Sequence, residues 1–164
     1  MSNIILTHKQ IGYKFIRLAW QVYENNMDET CIWLVGIDQR GFFIAESIAA
    51  ALRTITDQPV EAIQVDVLNQ TEPVYHSQSQ LSDLSNGVVV IVDDVLNSGK
   101  TVLKAMLPLL DLHVAKIQVA VLASRSHRLY PIKADYVGIS MATTLQEHLT
   151  FDNQSPEDLK LILN

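Results

Sequence analysis

Two adjacent carboxylates, Asp93 and Asp94, close the most apolar run of the chain, and a small polar loop, Asn97-Ser98-Gly99-Lys100-Thr101, follows Val95 and Leu96. Ionised carboxylates only accept hydrogen bonds, so the pair suits vicinal hydroxyls and repels phosphate. The loop has the opposite character. Backbone N–H groups at a helix start point outward, and the helix dipole favours an anion there. Ser98 and Thr101 add hydroxyl donors, and Gly99 lets the backbone approach a ligand closely and adopt an unusual φ. A diol beside a phosphate describes ribose 5-phosphate, which makes Val88–Thr101 the leading candidate site.

Other readings of this segment are weaker. Ser-Gly-Lys-Thr is the ending of a Walker phosphate loop, but that motif needs a glycine where this chain has Asp94. An Asp capping an ordinary helix explains one carboxylate, not two beside such a turn. A second junction, Val35-Gly36-Ile37-Asp38-Gln39-Arg40-Gly41, carries Arg40, whose planar guanidinium matches phosphate oxygens. Its glycine spacing alone also fits a plain strand-to-helix turn. His8, His76, His113 and His148 lack ligand-like spacing, so no protein-built metal site is expected. Trp20 and Trp33 are expected to face the core.

These groups need a frame. The 164 residues suit one domain, 1–164, able to bury a sizeable core. Hydrophobic residues make up 48% of the chain and charged residues 18%, a globular composition. A net charge of −6 argues against broad non-specific binding of nucleic acid. The single Cys31 forms no internal disulfide, no apolar run is long enough to span a membrane, and Met1–Leu6 lacks a signal-peptide pattern. The expected setting is cytoplasmic, without membrane contact.

Periodicity supplies the elements. Thr7 and Gln10 form a capping box, and Ile11, Phe15, Leu18 and Val22 recur at helical spacing, predicting a helix over 8–25. Cys31–Ile37 reads as a buried strand, with a helix behind it carrying Phe42, Ala45, Ile48, Ala49 and Leu52. Val60–Val67 is a strand by alternation, and Asn69–Asn86 is a long polar loop of the kind that carries function. Val88–Val92, five β-branched residues in a row, is the clearest strand. A helix over 101–110 would place Val102, Leu103, Met106, Leu109 and Leu110 on one face. Ile117–Leu122 and Tyr136–Ile139 read as strands, and Ser155-Pro156-Glu157-Asp158 as the start of a terminal helix. This order predicts an α/β fold with a mostly parallel sheet, whose ligands bind beyond the carboxyl ends of the strands. That rule selects Gly36–Gly41, Asp93–Thr101 and the segment after Leu122.

The run Val88–Thr101 resembles the signature of the type I phosphoribosyltransferases, a hydrophobic strand ending in Asp-Asp before a small-residue loop. The resemblance implies that family's fold, a mostly parallel twisted sheet flanked by helices. It implies transfer of ribose 5-phosphate from phosphoribosyl pyrophosphate to a nitrogenous base, with Mg2+ held mainly by the substrate and pyrophosphate released. By the same resemblance Asp93 and Asp94 hold the ribose hydroxyls. Asn97, Ser98, Gly99, Lys100 and Thr101 cradle the 5-phosphate, and Val95 and Leu96 join the substrate-binding set. Ile37, Asp38, Gln39, Arg40 and Gly41 form the pyrophosphate loop, with Arg40 beside the leaving group.

The segment Ser124–Gly138 narrows the likeness. His127-Arg128, Pro131-Ile132 and Ala134-Asp135-Tyr136-Val137-Gly138 resemble the group of pyrimidine-operon attenuators and uracil phosphoribosyltransferases. That group implies uracil as the base, a nucleoside monophosphate product, a homodimer or homotetramer, and RNA as a further partner. Arg125 joins the substrate-binding set, and Arg17, His127, Arg128 and Lys133 are the RNA-binding candidates. The chain departs from the group at Ser124, usually acidic, at Ser126, usually glycine, and over Ile139–Leu149. It departs most over Val65–Asn86, where the group has a longer loop that carries an arginine and closes over the site; here the segment holds no Lys or Arg. Two rival functions follow: a weakly active or inactive nucleotide-sensing regulator that binds RNA, and a phosphoribosyltransferase acting on a purine or another base.

Overall fold

Five β-branched residues with no polar face leave Val88–Val92 one stable option, a strand covered on both sides. In the computed structural model, which describes residues 2–77 and 80–164, they open β5 (Val88–Leu96) at the middle of the sheet. β5 pairs in parallel with β2 (Ile32–Ile37) and with β6 (Lys116–Arg125). β3 (Val60–Asp66), β4 (Val74–His76) and β7 (Tyr136–Met141) complete a sheet ordered β4-β3-β2-β5-β6-β7, in which only β4 runs antiparallel.

Side chains alternate across β5 and so build two cores. Val88, Val90 and Val92 pack with α1 (His8–Asn25) and α2 (Asp38–Ile55), which cover one face. Val89 and Ile91 pack with α3 (Lys100–Met106) on the other. The capping box at α1 is present: the Thr7 N–H donates to Gln10 Oε1 at 2.9 Å. The buried stripe of α1 is Ile11, Phe15, Leu18, Ala19 and Val22, which leaves Trp20 on the outer side. The expectation of a core-facing Trp20 is therefore corrected: it is 47% exposed.

A second, antiparallel sheet is made of β1 (Asn3–Leu6), β8 (Leu149–Asp152) and β9 (Lys160–Leu163), in the order β1-β9-β8. Its fully buried Phe151 meets Phe43 of α2, ring centroids 6.1 Å apart. β9 replaces the expected terminal helix. Ser155–Asp158 makes only a turn, its Asp158 N–H donating to Ser155 O at 3.0 Å. The alternation that buries Leu159 and Leu161 suits a strand with partners on both sides.

Two further expectations change. The polar stretch after Val67 contains β4 and a 3-10 turn, Leu81–Leu84, rather than loop alone; its Gln78 and Ser79 lie outside the described residues. α3 stops at Met106 and continues as a 3-10 turn, Leu107–Asp111, because Pro108 has no N–H for the next helical bond. That change of winding buries Leu109 and leaves Leu110 64% exposed, so the two do not share a face. Among the described residues, no helix is long and apolar enough to cross a membrane.

The β2–α2 junction tolerates no side chain at Gly36, where an added Cβ would sit 2.3 Å from the Cα of Phe42. Backbone cannot move aside as a flexible side chain can. Gly36→Ala should lower Tm by roughly 5 °C, the usual size of an overpacking penalty in a domain of this length, as read by thermal melting.

Candidate active site

The carboxyl ends of β2, β3 and β5 open together onto a cavity of about 550 Å³. The β2–α2 junction contributes Ile37, Asp38, Gln39 and Arg40. Gln64, Asp66, Leu68 and Asn69 come from the end of β3, and Asp93, Asp94, Val95, Asn97 and Thr101 from the end of β5. The structure thus brings the acidic pair, the loop after it and the Arg40 junction to one place. A hollow of about 40 Å³ adjoins it among Asn97, Ser98, Gly99 and Thr101.

Both carboxylates belong to the last turn of pleat in β5, not to a loop beyond it. Asp93 Oδ1 accepts the Asp94 N–H at 2.9 Å, and Asp94 Oδ1 accepts the Val95 N–H at 2.8 Å. Burial pushes the Asp93 carboxyl well above the usual carboxylate range; the neighbouring charge of Asp94 and the more distant one of Asp38 push the same way. The nearest compensating cation is Arg40, whose Nη1 lies 3.9 Å from Asp94 Oδ2 on a half-exposed side chain. Across the cavity the fourth carboxylate, Asp66, is held below the usual range by hydrogen bonds from Gln64 and then His76. The distances are 2.7 Å from Gln64 Nε2 and 2.6 Å to His76 Nε2.

The loop after β5 has the form its residues predict. Gly99 takes φ 90°, a left-handed conformation, directly before α3. A Cβ there would also press on Ile132, at 3.1 Å. Ser98 Oγ accepts the Lys100 N–H at 3.3 Å, and Ser98 O accepts the N–H groups of Leu129 and Tyr130 at 3.0 Å each. The segment after β6 is therefore the floor of the loop. Lys100 itself is exposed.

Arg125, at the end of β6, is buried at 8% exposure. Its Nη1 donates to Asn97 Oδ1 at 3.0 Å, its Nε to Thr143 Oγ1 at 2.7 Å and its Nη2 to Thr144 O at 2.9 Å. One guanidinium so joins the loop after β5 to the chain leaving β7. The four RNA-binding candidates behave differently. Arg17 donates to Val137 O and Gly138 O at 3.2 and 2.7 Å, Arg128 to Ile132 O at 3.3 Å, and the His127 ring meets Thr143 O. Lys133 is exposed. Three of the four thus have backbone partners of their own.

Sequence reasoning did not place Gln64, Asp66, Leu68 and Asn69 on the cavity, nor His76 against Asp66. The signal was the register Gln64↔His76, which exists only once β4 folds back on β3. The chain between β3 and β4 is tethered as well as short. Asp38 Oδ1 accepts the Val67 N–H at 2.9 Å, Lys104 Nζ donates to Gln70 O at 3.1 Å, and the Tyr75 hydroxyl donates to Ala105 O. Among the described residues, no cluster of three or more His, Cys, Asp or Glu could hold a metal ion.

A profile of the phosphoribosyl transferase domain matches residues 1–151. The chain belongs to the phosphoribosyltransferase family. This phosphoribosyltransferase is 33% identical to the bifunctional protein PyrR of Bacillus cereus (strain AH820) over an alignment 166 positions long, covering 94% of this chain and 92% of the relative. The bifunctional protein PyrR of Bacillus mycoides (strain KBAB4) matches to the same extent, 33% identical over 94% of this chain and 92% of that relative. Among solved structures, the hypoxanthine phosphoribosyltransferase of Trypanosoma cruzi superimposes with a TM-score of 0.78 at 16% identity, covering 97% of this chain and 95% of that one. A hypoxanthine-guanine phosphoribosyltransferase of Bacillus anthracis gives 0.71 at 16% identity, over 85% and 82%. At such identity the structural likeness speaks for the fold.

The congestion of charge at Asp93 has a thermodynamic consequence. Its carboxyl binds a proton more tightly in the folded protein than in the unfolded chain, so this group weakens the fold as pH rises through its raised pKa. Asp93→Asn keeps the acceptor for the Asp94 N–H and removes the charge. It should raise Tm by a few degrees at neutral pH, and the gain should shrink as pH falls into the ordinary carboxylate range. Melting curves across pH check both statements.

Proposed function

We propose that residues 1–164 act as one cytoplasmic domain that transfers ribose 5-phosphate from phosphoribosyl pyrophosphate to a pyrimidine, uracil before other bases, in a Mg2+-dependent reaction. One observation carries the reading: Asp93 and Asp94 line one cavity with Arg40, Asn97 and Thr101, and the Ser98–Gly99 turn lines the hollow that adjoins it. That grouping matches the diol, the 5-phosphate and the pyrophosphate of one substrate. The preference for a pyrimidine rests on the residues of Ser124–Gly138 and on the similarity to PyrR proteins.

In this reading positioning and electrostatics do the catalysis, with no covalent nucleophile. The amides and hydroxyls of 98–101 fix the phosphate end. Asp93 and Asp94 accept from the ribose hydroxyls and place negative charge close to the ring, where positive charge develops as the bond to pyrophosphate breaks. Arg40 meets the departing group. The described residues build no metal cluster of their own, so Mg2+, which prefers oxygen, would be held mainly by substrate and water. Asp38, Asp66, Asp93 and Asp94 against Arg40 make the cavity too negative for a bare pyrophosphate ester, so Mg2+ would supply the neutralising charge. The base would lie against the segment after Leu122.

A second reading, a nucleotide-sensing regulator with little turnover, draws on the absence of Lys and Arg from Val65–Asn86. Its RNA-binding half is disfavoured by the backbone partners of Arg17, His127 and Arg128.

The deciding experiment measures pyrophosphate release from phosphoribosyl pyrophosphate with Mg2+, with uracil, with other bases including hypoxanthine, and with none. Release dependent on uracil is expected. Release with a purine alone would overturn the pyrimidine assignment, and no release from protein that binds the substrate would favour the regulator. Asp94→Asn should weaken phosphoribosyl pyrophosphate binding by roughly tenfold or more without unfolding the domain, the scale of a lost hydrogen bond to a charged group. Unchanged affinity by calorimetry would remove the acidic pair from the site.

A further inference from the structure

Asp38 is an odd residue for a loop that meets pyrophosphate, because its charge opposes the ligand. It is also the first residue of α2, with φ 52°, a left-handed conformation that non-glycine residues adopt rarely and Asp and Asn most readily. Its carboxylate is turned not to open solvent but to the chain leaving β3, where Oδ1 accepts the Val67 N–H at 2.9 Å and, more weakly, the Leu68 N–H at 3.4 Å. Leu68 and Asn69, the next residues, line the cavity.

The chain from Val67 to Tyr75 then crosses to the other side of the site. Gln70 O is held by Lys104 Nζ at 3.1 Å, and the Tyr75 hydroxyl donates to Ala105 O, both on α3. α3 begins at Lys100, directly after the Ser98–Gly99 turn. One short strap thus links the start of α2, beside Arg40, to the helix that follows the phosphate turn. Asp38 is its fastening at the α2 end.

We propose that Asp38 is a positioning residue: it fastens the pyrophosphate-side loop to the strap Val67–Tyr75, and so sets the separation of the two phosphate-binding ends of the site. This rests on the phosphoribosyl pyrophosphate reading above. Asp38 acts through the loop it holds and makes no contact with the reacting atoms. A carboxylate suits the role because it accepts two backbone N–H groups at once and brings no donor that would compete with them. The left-handed backbone is the geometry that turns this side chain back across the junction. It also narrows the usable replacements to Asn, which has an acceptor oxygen and tolerates the conformation, and Gly, which tolerates the conformation alone.

The test compares Asp38→Asn, Asp38→Gly and Asp38→Ala with the wild-type protein by two readouts. Amide hydrogen exchange reports the fastening directly, without any ligand. The Val67 and Leu68 amides should exchange about tenfold faster in the Gly and Ala variants, the scale of one lost hydrogen bond, and close to wild type in Asn. Calorimetry with Mg2+ then compares phosphoribosyl pyrophosphate with uridine monophosphate, which lacks the pyrophosphate. The Gly and Ala variants should bind phosphoribosyl pyrophosphate about tenfold more weakly and uridine monophosphate within about twofold of wild type, and Asn should recover the affinity. Exchange at Val67 and Leu68 that is unchanged in Gly and Ala overturns the proposal, as does equal weakening of both ligands, which marks a general loss of structure. Faster exchange in a protein whose wild type binds neither ligand confirms the fastening and overturns instead the phosphoribosyl reading, and with it the positioning role.

Discussion

A strand buried on both faces cannot end in two carboxylates without cost. β5 carries Val88–Val92 through the middle of the sheet and then presents Asp93 and Asp94 before the chain has left the pairing with β6. Desolvation and mutual repulsion both oppose charge on Asp93. The immediate compensation is modest: one backbone N–H for each carboxylate and a long contact to Arg40. Much of the remaining architecture is arranged around this strand end. β2 and β6 flank it, α2 brings Arg40, and the chain turns at Gly99 to start α3 directly behind it. A site that costs stability where it sits is the expected mark of function, since a structural strand end would gain from neutral residues there.

Close approach is the second constraint, and glycine meets it. Gly41 comes so near β5 that a Cβ would lie 2.6 Å from Val92 O, which draws the start of α2 against the strand that bears the acids. Gly99 combines a left-handed φ with contact to Ile132. Neither position has room for even a methyl group without displacing its neighbours. These contacts explain why the two loops reach the same cavity from different strands. Arg125 completes the arrangement from beneath, since its buried guanidinium ties Asn97 to Thr143 and Thr144 and so relates the turn after β5 to the chain entering the second sheet.

Legibility in the sequence followed the range of the forces involved. Strands β2, β3, β5 and β6, helices α1 and α2, and the acidic pair with its turn were readable because each rests on local periodicity or on a dense local motif. β1, β8 and β9 were not, since a four-residue strand carries almost no pattern and exists through partners distant in the chain. The same holds for Ser155–Asp158, whose helix-start signals are local and lose to the pairing of Leu161 with β1 and β8. Around the cavity, Arg40 and Ser98–Thr101 were singled out by their chemistry alone. Asp66 and His76 escaped because their meeting depends on the fold-back of β4. Arg125 was singled out for its charge, and its burial among neutral acceptors could not be inferred from its neighbours in the chain.

The strap between β3 and β4 bears on how such a site handles a polyanion. A long cation-bearing loop brings positive charge and excludes water in one movement. The chain here offers neither length nor cation over Val65–Asn86: its basic side chain in that stretch is His76, already engaged with Asp66, and its path is fastened at Asp38, Lys104 and Ala105. Movement of this segment over the cavity would require breaking contacts at both ends. The alternative the geometry favours is a cavity largely preorganised before any ligand arrives, in which entropy is reduced in advance and Arg40 is the cation already in place. A preorganised site gains in positioning and loses in exclusion of water.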